Sequence, residues 1–131
     1  MCHSPQEFHK KMAIGSERDA EKKQLGKAGE NKARAYLKKS GYKILRSNYK
    51  NPFGEVDIIA EKEGVIAFIE VKTRLTDIFG QPSEAVNSIR QRKYINAAKY
   101  YFSGRQMDCV VRFDIIEVFK DKINHIENAF Y

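Results

Sequence analysis

Tryptophan is absent from this sequence, and there are only two cysteines and three prolines among 131 residues. Cys2 and Cys109 cannot build the multiple bridges of a small disulfide-stapled secreted protein. No apolar run approaches the roughly 18 residues that a membrane-crossing helix needs. The first 24 residues are polar and charged, without the apolar middle of a secretory signal. These absences lead to the expectation of a cytoplasmic protein. What is present suffices for one real hydrophobic core: 42% of residues are hydrophobic, and seven Tyr and eight Phe are spread along the chain.

Charge is distributed in blocks. Residues 1–50 carry 13 basic and five acidic side chains, residues 51–80 three and six, residues 81–107 five and one, and residues 108–131 three and five. The net charge of +7 is therefore concentrated in two basic stretches around an acidic one. A protein that holds a polyanion at its margins and a cation in its middle needs this distribution. A lysine-rich solvated surface with acids in turns gives the same counts.

Residues 1–23 lack sustained periodicity and read as a mobile tail, in which Met12 offers a second start. Cys2, His3 and His9 are metal-ligand types, but no second Cys/His pair accompanies them. Leu25, Ala28, Gly29, Ala33, Tyr36 and Leu37 recur at helical steps, predicting a helix to Ser40 that Gly41 ends. Gly26 and Gly29 each cost about 1 kcal/mol relative to alanine in a helix, a cost that a close approach to another backbone would explain. The GKAG string they frame also matches the Gly-x-x-Gly loop of KH domains. Tyr42–Tyr49, Glu55–Glu61 and Val65–Arg74 read as three strands joined by turns at Asn51-Pro52-Phe53-Gly54 and Lys62-Glu63-Gly64. The third strand is apolar on both faces, with Val65, Ala67, Ile69 and Val71 on one and Ile66 and Phe68 on the other. Such a strand belongs mid-sheet, beneath helices. A loop over Leu75–Ser83 leads to a second helix, Glu84–Phe102, with Val86, Ile89, Ile95, Ala98 and Phe102 inward. Cys109–Phe119 is a fourth strand and Ile123–Phe130 a fifth at the edge. The order predicts one α/β domain with a mixed sheet.

Glu70 and Lys72 interrupt a buried face of the third strand and share it, being two residues apart. Antiparallel pairing about the Lys62-Glu63-Gly64 turn sets Asp57 beside Glu70. Two carboxylates from adjacent strands suit a hard divalent cation, Mg²⁺ or Mn²⁺, with positions left for water and phosphate. A lysine on the same face can stabilise charge on that phosphate and orient or help deprotonate the attacking water. A buried Glu–Lys ion pair is the structural alternative, but each buried ion carries several kcal/mol of desolvation to offset.

Asp, a dozen residues, then Glu-x-Lys on neighbouring strands resembles the PD-(D/E)xK nuclease superfamily, whose core is a restriction-endonuclease-like αβββαβ arrangement. The strings LGKAGE (25–30), GYKILRSNY (41–49), GEVDIIA (54–60), FIEVKTR (68–74) and RFD (112–114), with Arg90 and Lys93 in the second helix, are similar to the YraN family of bacterial predicted nucleases. The resemblance runs from Leu25 to Phe119 and implies one nuclease-like domain over 24–131, a mixed sheet flanked by helices. It implies that Asp57 and Glu70 bind metal, that Glu30 is brought from the first helix towards the same metal as a further catalytic acid and ligand, and that Lys72 is the catalytic lysine. Taken alone, Glu30 is a solvated helical glutamate. Lys27, Arg46, Arg74, Arg90 and Lys93 are the basic residues expected on nucleic acid, Arg74 alternatively capping its strand. Arg90 stands where the family usually has lysine, and Val56 where it has proline.

The expected function is metal-dependent hydrolysis of phosphodiester bonds in DNA, with branched or structured DNA as substrate, similar to Holliday-junction resolvases. A non-catalytic nucleic-acid-binding module, or an accessory subunit of repair or recombination, uses the same fold and basic surface. The full set of Glu30, Asp57, Glu70 and Lys72 favours the enzyme. DNA versus RNA and monomer versus homodimer are open at this level.

Overall fold

The structure, a computed structural model, describes residues 25–75, 88–103 and 110–130. The expected tail with Cys2, His3 and His9, most of the expected loop over 75–83, residues 84–87 of the second expected helix, and Cys109 lie outside these residues.

Helix α1 covers residues 25–39. It ends as the glycine predicted: Gly41 takes a left-handed φ of 94°, and the Tyr42 and Gly41 N–H groups donate to the Leu37 and Lys38 carbonyls at 2.9 and 3.1 Å. Then come β1 (Lys43–Asn51), β2 (Gly54–Lys62), β3 (Val65–Thr73), α2 (Ser88–Tyr101), β4 (Val110–Phe119) and β5 (Lys122–Ile126). They form one sheet in the order β1-β2-β3-β4-β5, antiparallel throughout except between β3 and β4. The expected αβββαβ order and mixed sheet are therefore present, with α2 on the crossover between the two parallel strands.

Each face of the sheet carries its own apolar layer. Ala33 and Leu37 of α1 cover Ile58, Ala60, Ala67, Ile69, Ile116 and Val118. On the other face, Tyr94, Ala97 and Ala98 of α2 cover Ile66, Phe68 and Phe113. The two-faced apolar pattern of β3 is what permits this sandwich. Ile89, expected inward, is 65% exposed, because the first turn of α2 overlies a polar cleft rather than the core. Leu25 is half exposed as well. The fifth strand stops at Ile126, since Asn128 adopts a φ of 55° and turns Phe130 back to stack on Phe113 at 5.3 Å.

Only one of the two early glycines marks a close approach. Gly26 faces open space, whereas a Cβ at Gly29 would drive into Thr73 Oγ1. The approach is to a side chain at the end of β3, not to a backbone. The GKAG string lies within α1 rather than in a loop, so the KH comparison falls. Among the described residues no helix is long and apolar enough to cross a membrane.

Two fully buried acids tie the far strands together. Asp114 accepts from Arg112 Nε at 2.8 Å, from the Asn128 N–H at 3.0 Å, and pairs with His125 Nε2 at 2.7 Å. Burial alone would raise its carboxyl, but these hydrogen bonds outweigh burial and hold it below the ordinary 3.8. Glu117 takes Arg74 Nη2 at 2.6 Å and Asn124 Nδ2 at 2.8 Å. Asp114→Asn should cost about 3–5 kcal/mol in urea unfolding, because it leaves a buried partner uncompensated. A carboxyl depressed in the folded state stabilises above its unfolded value, so wild type should lose this contribution as pH falls below about 4, and the variant should lack that acid limb.

Candidate active site

The β2–β3 ladder runs from Lys62 opposite Val65 to Ile58 opposite Ile69 and then stops. One step further lie Asp57 and Glu70. Here the strands part, and the Val71 N–H donates to Asp57 Oδ2 at 2.8 Å instead of to a ladder carbonyl. On the neighbouring strand Asn48 sits at a φ of 50°, a conformation asparagine tolerates better than most residues. Its Nδ2 donates to Glu30 Oε1 at 2.9 Å and to Glu55 Oε1 at 3.2 Å. Between the parted strands and α2 lies a cavity of about 390 Å³, with Asp57, Glu70 and Val71 on the sheet side and Arg90, Lys93 and Tyr94 on the helix side.

Four acids crowd this end of the sheet, and their protonation reflects it. Burial, then the charges of Glu30, Glu70 and Glu55, push the Asp57 carboxyl up to about 7 despite the Val71 hydrogen bond. Burial also raises Glu70, against the charges of Arg90, Lys72 and Arg74. Arg90 Nη1 holds Glu70 Oε1 at 2.8 Å. The other oxygen, Oε2, is buried without a hydrogen-bond partner; among the described residues only Arg34 Nη1 shares that condition. Burial raises the Tyr94 phenol too, and a backbone hydrogen bond joins it to Asp57.

The expected residues are gathered unevenly. Asp57 and Glu70 share the cavity. Glu30 does not line it, although its charge is felt by Asp57; Asn48 holds its carboxylate, with Arg34 4.0 Å away. Lys72 lies on the Glu70 face, where its charge reaches Glu70, and opposite Glu117 in the β3–β4 ladder. Of the expected basic set, Arg90 and Lys93 line the cavity and Lys27 is exposed on α1. Arg46 lies over the Tyr49 ring at 4.8 Å. The Arg74 side chain is 12% exposed and engaged with Glu117, so it is partly withdrawn from the surface. Sequence reasoning overlooked Glu117, Asn48 and Tyr94. The first carried a signal, because Glu117 alternates with Phe113 and Ile115 on an apolar face.

The donor set suits a hard divalent cation. Among the described residues no three His, Cys, Asp or Glu side chains stand together as a metal cluster. Mg²⁺ commonly takes one or two carboxylates and completes its shell with water and phosphate, and Asp57 with the unpartnered Glu70 Oε2 supplies such a pair.

The element order and the mixed sheet define the class: an α/β protein with the αβββαβ core that the restriction-endonuclease-like resemblance implies. The chain belongs to the uncharacterised protein family UPF0102, the YraN family, whose profile matches residues 29–118. It is 50% identical over 108 residues to a UPF0102 protein of Thermodesulfovibrio yellowstonii, covering 82% of this chain and 96% of that one. It is 45% identical over 116 residues to a UPF0102 protein of Bacteroides thetaiotaomicron, covering 86% and 96%. A third relative, from Caldicellulosiruptor saccharolyticus, is 44% identical over 116 residues, covering 83% and 98%.

Asp57 gives a pH dependence opposite in sign to that of Asp114. Between its unfolded value of 3.8 and its folded value of about 7, the folded state binds the extra proton. Stability from this group therefore falls as pH rises through that window. Asp57→Asn keeps an oxygen for the Val71 N–H and cannot ionise. In metal-free buffer its melting temperature should exceed that of wild type at pH 8, with the difference shrinking towards pH 5.

Proposed function

We propose that this protein is a divalent-cation-dependent endonuclease that hydrolyses phosphodiester bonds of DNA, with branched or structured DNA as its substrate class. The observation that carries the proposal is Glu70 Oε2, a buried carboxylate oxygen without a hydrogen-bond partner, in a cleft shared with Asp57. A divalent cation held by Asp57 and Glu70 would supply charge stabilisation on the scissile phosphate and activation of the attacking water. Lys72 sets an ammonium on the Glu70 face, where it orients that water and offsets charge developing on the phosphate. The Arg90 side chain is 52% exposed, so its guanidinium can pass from Glu70 to an entering phosphate, which its forked donors fit. Lys93 extends the positive wall, and Glu30, positioned by Asn48, raises the cleft's demand for a cation.

A non-catalytic nucleic-acid-binding module, or an accessory subunit of repair or recombination, is the second reading. It is favoured by Arg90, whose guanidinium already holds Glu70 Oε1 at 2.8 Å and so offsets part of the charge a cation would meet. Single-turnover assays on four-way junctions, flaps, single strands and duplexes with Mg²⁺ or Mn²⁺ separate the two. Cleavage by wild type that Asp57→Ala abolishes supports the enzyme; tight binding with no cleavage under either metal supports the module.

Lys72→Ala should lower the cleavage rate about 10²–10³-fold, the usual loss when transition-state charge stabilisation is removed. Affinity should stay within a few-fold, since one phosphate contact among several contributes modestly. An equal loss of binding and rate would make Lys72 a phosphate clamp instead. Without any turnover, Mg²⁺ should raise the melting temperature of wild type at pH 8 and leave that of Glu70→Gln unchanged.

A further inference from the structure

The mouth of the cleft carries two large aromatic rings that the core does not use. Phe53, in the β1–β2 turn, is 41% exposed, and Tyr100, on α2, is 48% exposed. They meet edge to face with ring centroids 6.3 Å apart. Phe53 also lines the cavity that holds Asp57 and Glu70. Its position is built: the Phe53 N–H donates to Asn51 Oδ1 at 2.9 Å, and Asn51 Nδ2 donates to the Tyr49 carbonyl at 3.3 Å. Gly54 supplies the left-handed φ of 134° that the turn needs, and Lys93 lies within ordinary contact of it. Lys93 and Tyr100 are two helical turns apart and so share a face of α2, about 10 Å along its axis. A cation beside the acids is thus followed on one line by an aromatic pair at the rim.

We propose that Phe53 and Tyr100 form a stacking subsite for an unpaired nucleobase, so that the cleft takes nucleic acid with a single-stranded segment beside the bond it cuts. This rests on the endonuclease reading and narrows its substrate class. A paired base presents only its edge to a groove, whereas an unpaired one offers a full face to an aromatic side chain. An edge-to-face pair leaves ring faces open. At 3.4 Å per step, the distance from Lys93 to Tyr100 is about three nucleotides of a stacked strand. The backbone would therefore run from the rim along Lys93 and Arg90 to the acids.

The test is equilibrium binding in EDTA, at matched salt, to labelled oligonucleotides of equal length: a blunt duplex, a flapped duplex and a single strand. Wild type should prefer the flap and the single strand to the duplex by about ten-fold, within the range that one base–aromatic stack supports. Phe53→Leu and Tyr100→Leu keep apolar bulk but lose the ring face. Each should abolish most of that preference while duplex affinity stays within two-fold. Phe53→Trp should retain it. Thermal melts run alongside, and Tyr100→Leu carries the test independently should the Phe53→Leu turn loosen the fold. Equal affinity of wild type for all three ligands, or a uniform loss across them in both leucine variants, would overturn the subsite. Cleavage of duplex with no preference for unpaired strands removes this inference and leaves the endonuclease. Failure of wild type to bind any of the three, in EDTA and again with Ca²⁺ in its place, removes both.

Discussion

The cleft depends on one substituted hydrogen bond. Where the β2–β3 ladder ends, the Val71 N–H finds the Asp57 carboxylate at 2.8 Å in place of a backbone carbonyl. That bond satisfies a donor that the parting strands would leave unmade, and it draws a charged group into the mouth of the sheet. Once Asp57 is held there, Glu70 faces it across the gap, α2 spans the opening, and the cavity has its floor. The same end of β3 receives α1, because Gly29 leaves room for Thr73, and α1 in turn carries Glu30 to the edge of the acids.

Buried charge in this fold follows two rules, and the contrast separates support from function. Asp114 and Glu117 are fully buried and richly partnered by Arg112, His125 and Asn128, and by Arg74 and Asn124. They join β4 to β5 and to the chain beyond, and their partners offset the cost of taking a carboxylate out of water. Glu70 is buried as well, but one of its oxygens has no partner. Asp57 is pushed to about 7 by burial and neighbouring acids. A fold that meets the demands of two buried acids and leaves the adjoining pair under strain has concentrated its negative potential in one place. Perturbed carboxylates in a cleft make this end of the sheet the candidate site, because structural acids in the same fold are fully partnered.

The basic residues divide in the same way. Arg74 serves the interior, Arg90 stands between interior and solvent, and Lys93 lines the mouth. Formal charge along the chain treats them alike. Their separation comes from where the strand ends and where α2 crosses, so the basic surface at the cleft is smaller and more directed than the charge blocks imply.

The sequence by itself determined the order of elements, the two-faced β3 and the pairing of Asp57 with Glu70. These follow from local periodicity and from one turn, Lys62-Glu63-Gly64, which sets the register of everything in β2 against β3. The reach of α1 to the site was partly legible in Gly29, although its neighbour proved to be a side chain. Tertiary structure alone decided that Arg90 holds Glu70, that Asn48 positions Glu30, that Arg74 turns inward to Glu117, and that Ile89 is left exposed. Each of these depends on contacts between residues 18 to 43 positions apart in the chain, or on which part of a helix overlies a cleft. Spacing fixes which face a side chain occupies on its own element; only the packing of elements decides what that face meets.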